Sequence, residues 1–288
     1  MTGAAAAPAG WTARELRYRH PGAARPAVDG VTLDVPPARL TAVLGPNGAG
    51  KSTLLALLLG TLPPAAGSVA FAGRPLGAAA GAWPRAELAR RVGVVPQGEE
   101  FAFPLTVRDL VEMGRYPHLG RWEPARAADR AVVDAAIARV GMQDFAERAV
   151  GTLSGGERQR ARLARALAQV AAGPSGGPAP GAALALDEPT AALDLAHEME
   201  VFGLVRALAD AGTTVLLVTH NLNLAARHAD QLVLMHEGRV AAAGAPADVL
   251  TAERVSHVYG WPVAVGTHAG PRGAAPQIVP LDPVPAAA

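Results

Sequence analysis

Nine consecutive residues constrain this chain more than any others: Gly45, Pro46, Asn47, Gly48, Ala49, Gly50, Lys51, Ser52 and Thr53. They fit the phosphate-binding pattern G-x-x-x-x-G-K-[ST] without a mismatch. The apolar run 40–44 before them reads as a short buried strand, and the Leu-rich run 51–59 after them as a helix. A Gly-rich turn from strand to helix aims several backbone N–H groups and the positive end of a helix at one point. The glycines lack the Cβ that would block close approach or penalise positive φ. From this loop the Lys51 ammonium can reach β- and γ-phosphates, and the Ser52 hydroxyl can ligate Mg²⁺. With strand and helix both in place, the stretch is a nucleoside-triphosphate site. It calls for an α/β fold with a phosphate-loop NTPase core, a mostly parallel sheet flanked by helices.

The rest of the chain fits that core. Residues 14–19 and 28–35 alternate polar and apolar side chains and read as strands of an antiparallel β subdomain, with Leu16, Tyr18 and His20 on one face of the first. Further strands are expected at 67–72, 92–95, 182–186, 213–219 and 231–236, and helices at 85–91, 154–170, 195–211 and 222–228. Between about 98 and 152 the texture changes. Helical spacing over 106–113 and 126–140, punctuated by Pro104, Pro117 and Pro124, indicates an α-helical subdomain inserted into the core. Residues 1–12 read as a disordered lead-in, 13–265 as the ATPase domain, 173–181 as a Gly/Pro/Ser-rich insert and 266–288 as a flexible tail.

Half the residues are hydrophobic but only 4% aromatic, so the core must be built from Ala, Val and Leu. The 26 basic and 25 acidic residues leave a formal charge of +1, which gives no pull toward nucleic acid or anionic lipid. No cysteine is present, which excludes disulfides and thiolate metal sites. No apolar run approaches the ~20 residues of a spanning helix, and residues 1–10 lack a basic signal-peptide start. A soluble chain is expected, with any membrane role exerted through a partner.

Two further stretches carry chemistry. An apolar run ends in Asp187-Glu188, and in open α/β sheets ligands bind beyond the carboxyl ends of the strands. Asp187 is suited to hold Mg²⁺ through water, and Glu188 to orient and deprotonate an attacking water. Beside a complete phosphate loop, this pair signals hydrolysis rather than a solvated strand end. The second stretch is Ser154-Gly155-Gly156-Glu157 after Leu153. It is a capping box, S-x-x-E, and a glycine-rich helix start also offers free N–H groups to an anion. The two readings are compatible.

Taken together, 45–53, Gln97, 153–157, 186–189, 192–194 and His220 stand in the order and rough spacing of an ABC-transporter ATP-binding subunit, which the chain resembles from about 14 to 240. The resemblance implies that the helical insert docks on two membrane permease subunits. It also implies a peripheral location on the cytoplasmic face of the cell membrane, and indirect work with a periplasmic or lipoprotein substrate-binding protein. Two copies would close head to tail, with ATP between the phosphate loop of one and Ser154, Gly155 and Gly156 of the other. In that pair Glu188 is the general base and His220 contacts the γ-phosphate. Gln97 senses Mg²⁺ and water and couples them to the insert, and Asp194 sits at the dimer seam. The family stacks an aromatic ring of the first strand on adenine. Here His20 fits the spacing better and Tyr18 has the larger π-surface, and both remain candidates. Asn221 stands where relatives of this texture often carry Asp, and a minor effect is expected.

The segment 113–118, Met-Gly-Arg-Tyr-Pro-His, resembles importers of siderophores, vitamin B12 and haem. The stretches 83–90, 220–230 and 258–263 and the insert at 173–181 are similar to the haem (hemin) import branch. Haem uptake energised by ATP and Mg²⁺ is therefore the expected role, with ferric siderophore or B12 as the alternative cargo. A soluble ABC ATPase outside transport ranks low, because such proteins usually carry a long coiled-coil insert or two ATPase halves, and a bare nucleotide-binding regulator ranks lower still, because Glu188 supplies a hydrolytic base. The eight histidines show no ligand spacing, and His197-Glu198 lacks the second histidine of a zinc H-E-x-x-H helix.

Overall fold

The computed structural model describes residues 10–99, 104–120, 123–191 and 193–282. The expected lead-in up to residue 9, Ala192, and the end of the expected tail from 283 lie outside the described residues. Two antiparallel strands, β1 (Trp11–Tyr18) and β2 (Val28–Val35), precede β3 (Leu40–Leu44), which leads through the phosphate loop into α1 (Lys51–Leu58). β4 (Ala66–Phe71), β5 (Arg74–Pro75), α2 (Arg85–Ala89) and β6 (Val92–Val95) follow. The insert supplies α3 (Val107–Glu112), a 3₁₀ segment (Met113–His118) and α4 (Ala127–Arg139), and α5 (Gly155–Val170) returns to the core. Strands and helices then alternate through β7 (Ala183–Asp187), α6 (Leu195–Asp210), β8 (Thr214–Val218), α7 (Leu222–His228), β9 (Gln231–His236) and β10 (Arg239–Gly244). Helices α8 (Pro246–Val249) and α9 (Ala252–Tyr259) and the hairpin of β11 (Val263–Gly270) and β12 (Gly273–Pro280) complete the order.

The central sheet runs β10-β9-β3-β8-β7-β6, parallel except for β10 at its edge. A second sheet, β2-β1-β4-β5, is antiparallel. The parallel strands read as continuous apolar runs because both faces are covered. Period-two alternation still sorts their side chains. Leu184, Leu186, Val215, Leu217, Leu232 and Leu234 enter the larger core with α5, α6 and the insert. Their neighbours Ala183, Ala185, Leu216, Val218, Val233 and Met235 face the core shared with α1 and the antiparallel sheet. The two alanines of β7 leave room for α1, whose Leu54, Leu55, Leu57 and Leu58 are all buried. That packing fixes the helix whose first residue is Lys51.

Thr106 caps α3 through a reciprocal box with Asp109. Arg115 is bound at 3.1 Å to buried Asp129 of α4 and donates to the Ala168 carbonyl of α5 at 2.7 Å. Among the described residues of 98–152, an isolated bridge between Thr106 and Ala149 is the only strand-like pairing, so the insert is helical as expected. Among the described residues, no helix is long and apolar enough to cross a membrane.

Three expectations need correction. The lead-in does not extend to residue 12: Trp11 is 1% exposed, pairs with Val35 and packs its ring 4.9 Å from Phe71. Strand β1 ends at Tyr18 and is interrupted at Glu15, whose φ of 49° breaks the alternation, so His20 lies beyond it. The region from 266 is not a frayed tail as far as residue 280. It is one arm and most of the other of the β11–β12 hairpin, whose Val263 and Ile278 enter the larger core and whose Ile278 backbone is bound on both sides by the Asn223 amide. The strand β10, both short helices and this hairpin were absent from the sequence expectations.

Candidate functional site

Strands β3 and β7 are parallel and both flank β8, so their carboxyl ends open on one edge of the sheet. The phosphate loop leaves β3 there. Gly50 precedes α1 with φ 97°, and a Cβ on it would run into the Ala27 carbonyl, so no other residue fits. Lys51 is only 6% exposed and donates from Nζ to the Gly45 carbonyl at 2.8 Å and to that of Pro46 at 3.1 Å. Burial pulls its pKa below the ordinary lysine value, while the charges of Glu188 and Asp187 pull the other way.

Ser52, next on the helix, donates from Oγ to Asp187 Oδ1 at 3.3 Å. Burial pushes the Asp187 carboxyl above its ordinary pKa and the Glu188 charge adds to this, against the Ser52 bond and Lys51. A carboxylate in that position gains most from a cation. A hydroxyl and a carboxylate, both hard oxygen donors, suit Mg²⁺, which takes few protein ligands and completes its shell with water and phosphate oxygens. Ser52 and Asp187 would hold it.

Glu188 follows β7 with φ 45°, in the left-handed region, and donates its N–H to the Val218 carbonyl at 2.9 Å. Such a backbone costs a bulky residue on the order of 1–2 kcal/mol. Its side chain meets Gln97 from the end of β6: Gln97 Nε2 donates to Glu188 Oε2 at 2.7 Å. Both residues line a cavity of about 560 Å³ whose floor is the phosphate loop from Asn47 to Thr53 and whose side is closed by His20 and Ala27. His20 Nε2 lies 3.1 Å from Thr53 Oγ1, with the Tyr18 ring edge-on to it at 5.0 Å. Of the two adenine candidates, His20 lines the cavity and Tyr18 stands behind it.

The remaining expected residues do not line this cavity. Ser154 caps α5, accepting from the Glu157 N–H at 3.2 Å while Glu157 accepts the Ser154 N–H at 2.7 Å. That backbone bond holds the Glu157 carboxyl below its ordinary pKa. Gly155 and Gly156 open the helix. Asp194 caps α6, accepting from the His197 N–H at 3.0 Å. His220 is exposed beyond β8. Asn221 caps α7, accepting from Leu224 N–H at 3.0 Å, and reaches Glu198 at 3.3 Å. Thus Ser154, Gly155, Gly156, Asp194 and His220 stand outside the cavity that the phosphate loop floors. Ala27 was missed in the sequence, because nothing in a Pro-Ala turn signals that its carbonyl will roof a glycine 23 residues on.

A parallel sheet with this loop, a carboxylate pair at the end of the next strand but one and a glutamine bound to the second carboxylate defines a phosphate-loop nucleoside triphosphatase. The sequence matches the family "ABC transporter" over residues 28–191, more than half the chain. The chain belongs to the ABC transporter family as one of its ATP-hydrolysing subunits. It is 44% identical over 238 residues to the hemin import ATP-binding protein of Pseudomonas entomophila, covering 83% of this chain and 88% of that one. Against the protein of that name from Streptomyces coelicolor it is 44% identical over 256 residues, 89% of this chain and 85% of the other. The cobalamin import ATP-binding protein of Halobacterium salinarum is 45% identical over 255 residues, 88% of this chain, which spans only 60% of that protein's length. A solved structure described as an inward-facing, putative metal-chelate type ABC transporter superposes with a TM-score of 0.79 at 28% identity, covering 96% of this chain and 98% of that one.

Proposed function

We propose that this chain energises an ABC importer, that two copies close head to tail around ATP on a pair of permease subunits, and that the cargo is haem. The observation that carries the catalytic part is the 2.7 Å bond between Gln97 and Glu188 at the mouth of the phosphate-loop cavity. The phosphate loop N–H groups and Lys51 bind the β- and γ-phosphates. Mg²⁺, when bound, neutralises phosphate charge. Glu188 accepts the proton of a water that attacks the γ-phosphorus, the bond to the bridging oxygen breaks, and ADP and phosphate leave. Gln97 holds the Glu188 carboxylate and that water in register. His220 serves as a donor to the γ-phosphate, Asp194 lies at the seam, and His20 stacks on adenine. Ser154, Gly155 and Gly156 complete the site of the other copy.

The helical insert is the permease-facing side. An apolar cavity of about 620 Å³, lined by Trp83, Leu88, Leu76 and Gln169 among others, opens beside it, and Tyr116 of the insert is 63% exposed nearby. A permease partner makes the chain peripheral at the cytoplasmic face of the membrane. Haem as cargo is supported by the hemin import relatives and cobalamin as the second reading by the relative of similar identity.

Glu188→Gln tests the catalytic reading: it keeps ATP binding, loses hydrolysis by 10²-fold or more, as expected for a general base, and accumulates an ATP-bound dimer in size-exclusion chromatography. Turnover within about twofold of the parent would remove Glu188 from the role. For the cargo, the chain reconstituted with its permease pair should show ATPase stimulation by a haem-loaded binding protein. Stimulation by a cobalamin- or siderophore-loaded one instead transfers the assignment.

A further inference from the structure

Gly156 is a glycine for a reason its place in the helix start does not supply. Its φ is not positive, so left-handed geometry is not what it provides. A Cβ on it would instead collide with the imidazole of His197, lying 2.7 Å from Cγ and 3.1 Å from Nε2. His197 belongs to the first turn of α6, some forty residues away in sequence, and its ring lies against the start of α5. Asp194 holds it there: Oδ1 accepts the His197 backbone N–H at 3.0 Å and lies 2.7 Å from ring Nδ1. Since a carboxylate can only accept, Nδ1 carries the proton of that bond, and Nε2 is left beside Gly156. The ring is one-third exposed. The aspartate expected at the dimer seam and the glycine expected to hold the other copy's phosphate are therefore joined through one side chain.

We propose that His197 is a positioning residue of the composite nucleotide site. It transmits the setting of Asp194 to Gly156, so that the Ser154–Gly156 N–H groups are presented correctly to ATP carried by the second copy. The inference rests on the head-to-tail reading above. Its consequence is selective. Losing His197 leaves a chain's own phosphate loop intact and weakens only what that chain does for its partner.

The test uses the full-length protein with Glu188→Gln, in which ATP accumulates the dimer. Adding His197→Ala should raise the ATP concentration for half-dimerisation about tenfold, since two contacts are lost per dimer. Binding of a fluorescent ATP analogue to dilute monomer should stay within about twofold. His197→Asn, which retains a donor for Asp194 but is too short to cover Gly156, should behave as His197→Ala. Gly156→Ala alone should dimerise poorly, and combining it with His197→Ala, which removes the colliding ring, should recover part of the loss. Unchanged dimerisation in both His197 variants, or equal losses in monomer binding and dimerisation, overturns the assignment. If Glu188→Gln alone stays monomeric at saturating ATP, the head-to-tail reading fails and the role of His197 fails with it.

Discussion

Gly50 carries two constraints at once, a φ of 97° and a backbone carbonyl, that of Ala27, where a Cβ would sit. Gly50→Ala should therefore lower stability by about 2–4 kcal/mol, combining left-handed strain with overpacking against immovable backbone. Urea unfolding measures this, and a loss below about 0.5 kcal/mol, the range of neutral surface changes, would contradict it. ATP affinity should fall as well, because Gly50 sets the direction of Lys51. At this scale legibility followed sequence distance. Lys51 and Ser52 could be assigned from the chain because motif, strand and helix are contiguous. The contact of Gln97 with Glu188 spans 91 positions and was not expected; Gln97 itself entered only through the family resemblance, as a sensor of Mg²⁺ and water. The left-handed backbone of Glu188 and the ring of His197 on Gly156 left no trace in composition or spacing. His197 had been weighed only as half of a zinc motif.

Among the elements, the parallel strands were the easiest to read, since burial on both faces makes each a short apolar run bounded by turns. The C-terminal hairpin was the hardest. Its Gly, Ala and Pro residues resemble a linker, and only Val263, Ala275 and Ile278 of the two arms are buried, too few to make an alternating pattern. What fastens this region is a polar hub at the start of β9. Asp230, whose side chain is 6% exposed, accepts from Leu40 N–H at 2.7 Å and Arg206 at 2.8 Å on one oxygen, and from Arg39 at 3.2 Å and Arg272 on the other. Burial alone would raise its pKa, but the Arg206, Leu40 and Arg272 bonds outweigh that and bring it to about 2, against an ordinary 3.8. A depressed carboxylate pKa adds stability that is complete above the unfolded value and is lost as pH falls through the folded one. Asp230→Asn should therefore cost about 2 kcal/mol at pH 7, and the gap from the parent should close as pH drops from about 4 toward 2. A gap that is constant between pH 7 and pH 3 in urea titrations would mean that packing, not charge, makes the hub.

Across the whole molecule, the insert and the core are joined at the carboxyl end of α5. The Gln169 side chain donates to the Ala89 and Val92 carbonyls of the core at 2.8 and 3.0 Å, while its own carbonyl is bound by His118 of the insert at 2.7 Å. Arg90 adds a bond to the Pro117 carbonyl at 2.6 Å. The same helix α5 is capped at its start by Ser154, and the strand it covers, β6, ends just before Gln97. A partner seated in the apolar cavity lined by Leu88, Ala89 and Gln169 would thus press on the joint between α5 and the strand that leads to Gln97. Leu88 is half-buried on α2 and does not line the phosphate-loop cavity, so Leu88→Glu separates docking from catalysis. The isolated variant should bind ATP within about twofold of the parent and stay folded, at a cost of about 1–2 kcal/mol because Leu88 packs partly on the core shared with the antiparallel sheet. A carboxylate forced into an apolar contact without a partner costs about 2 kcal/mol or more, some thirtyfold in affinity. Co-purification with the permease pair from detergent should therefore be lost while ATP binding persists. A variant that still co-purifies in full would remove the α2 cavity from the docking surface and confine that surface to the insert itself, around exposed Tyr116.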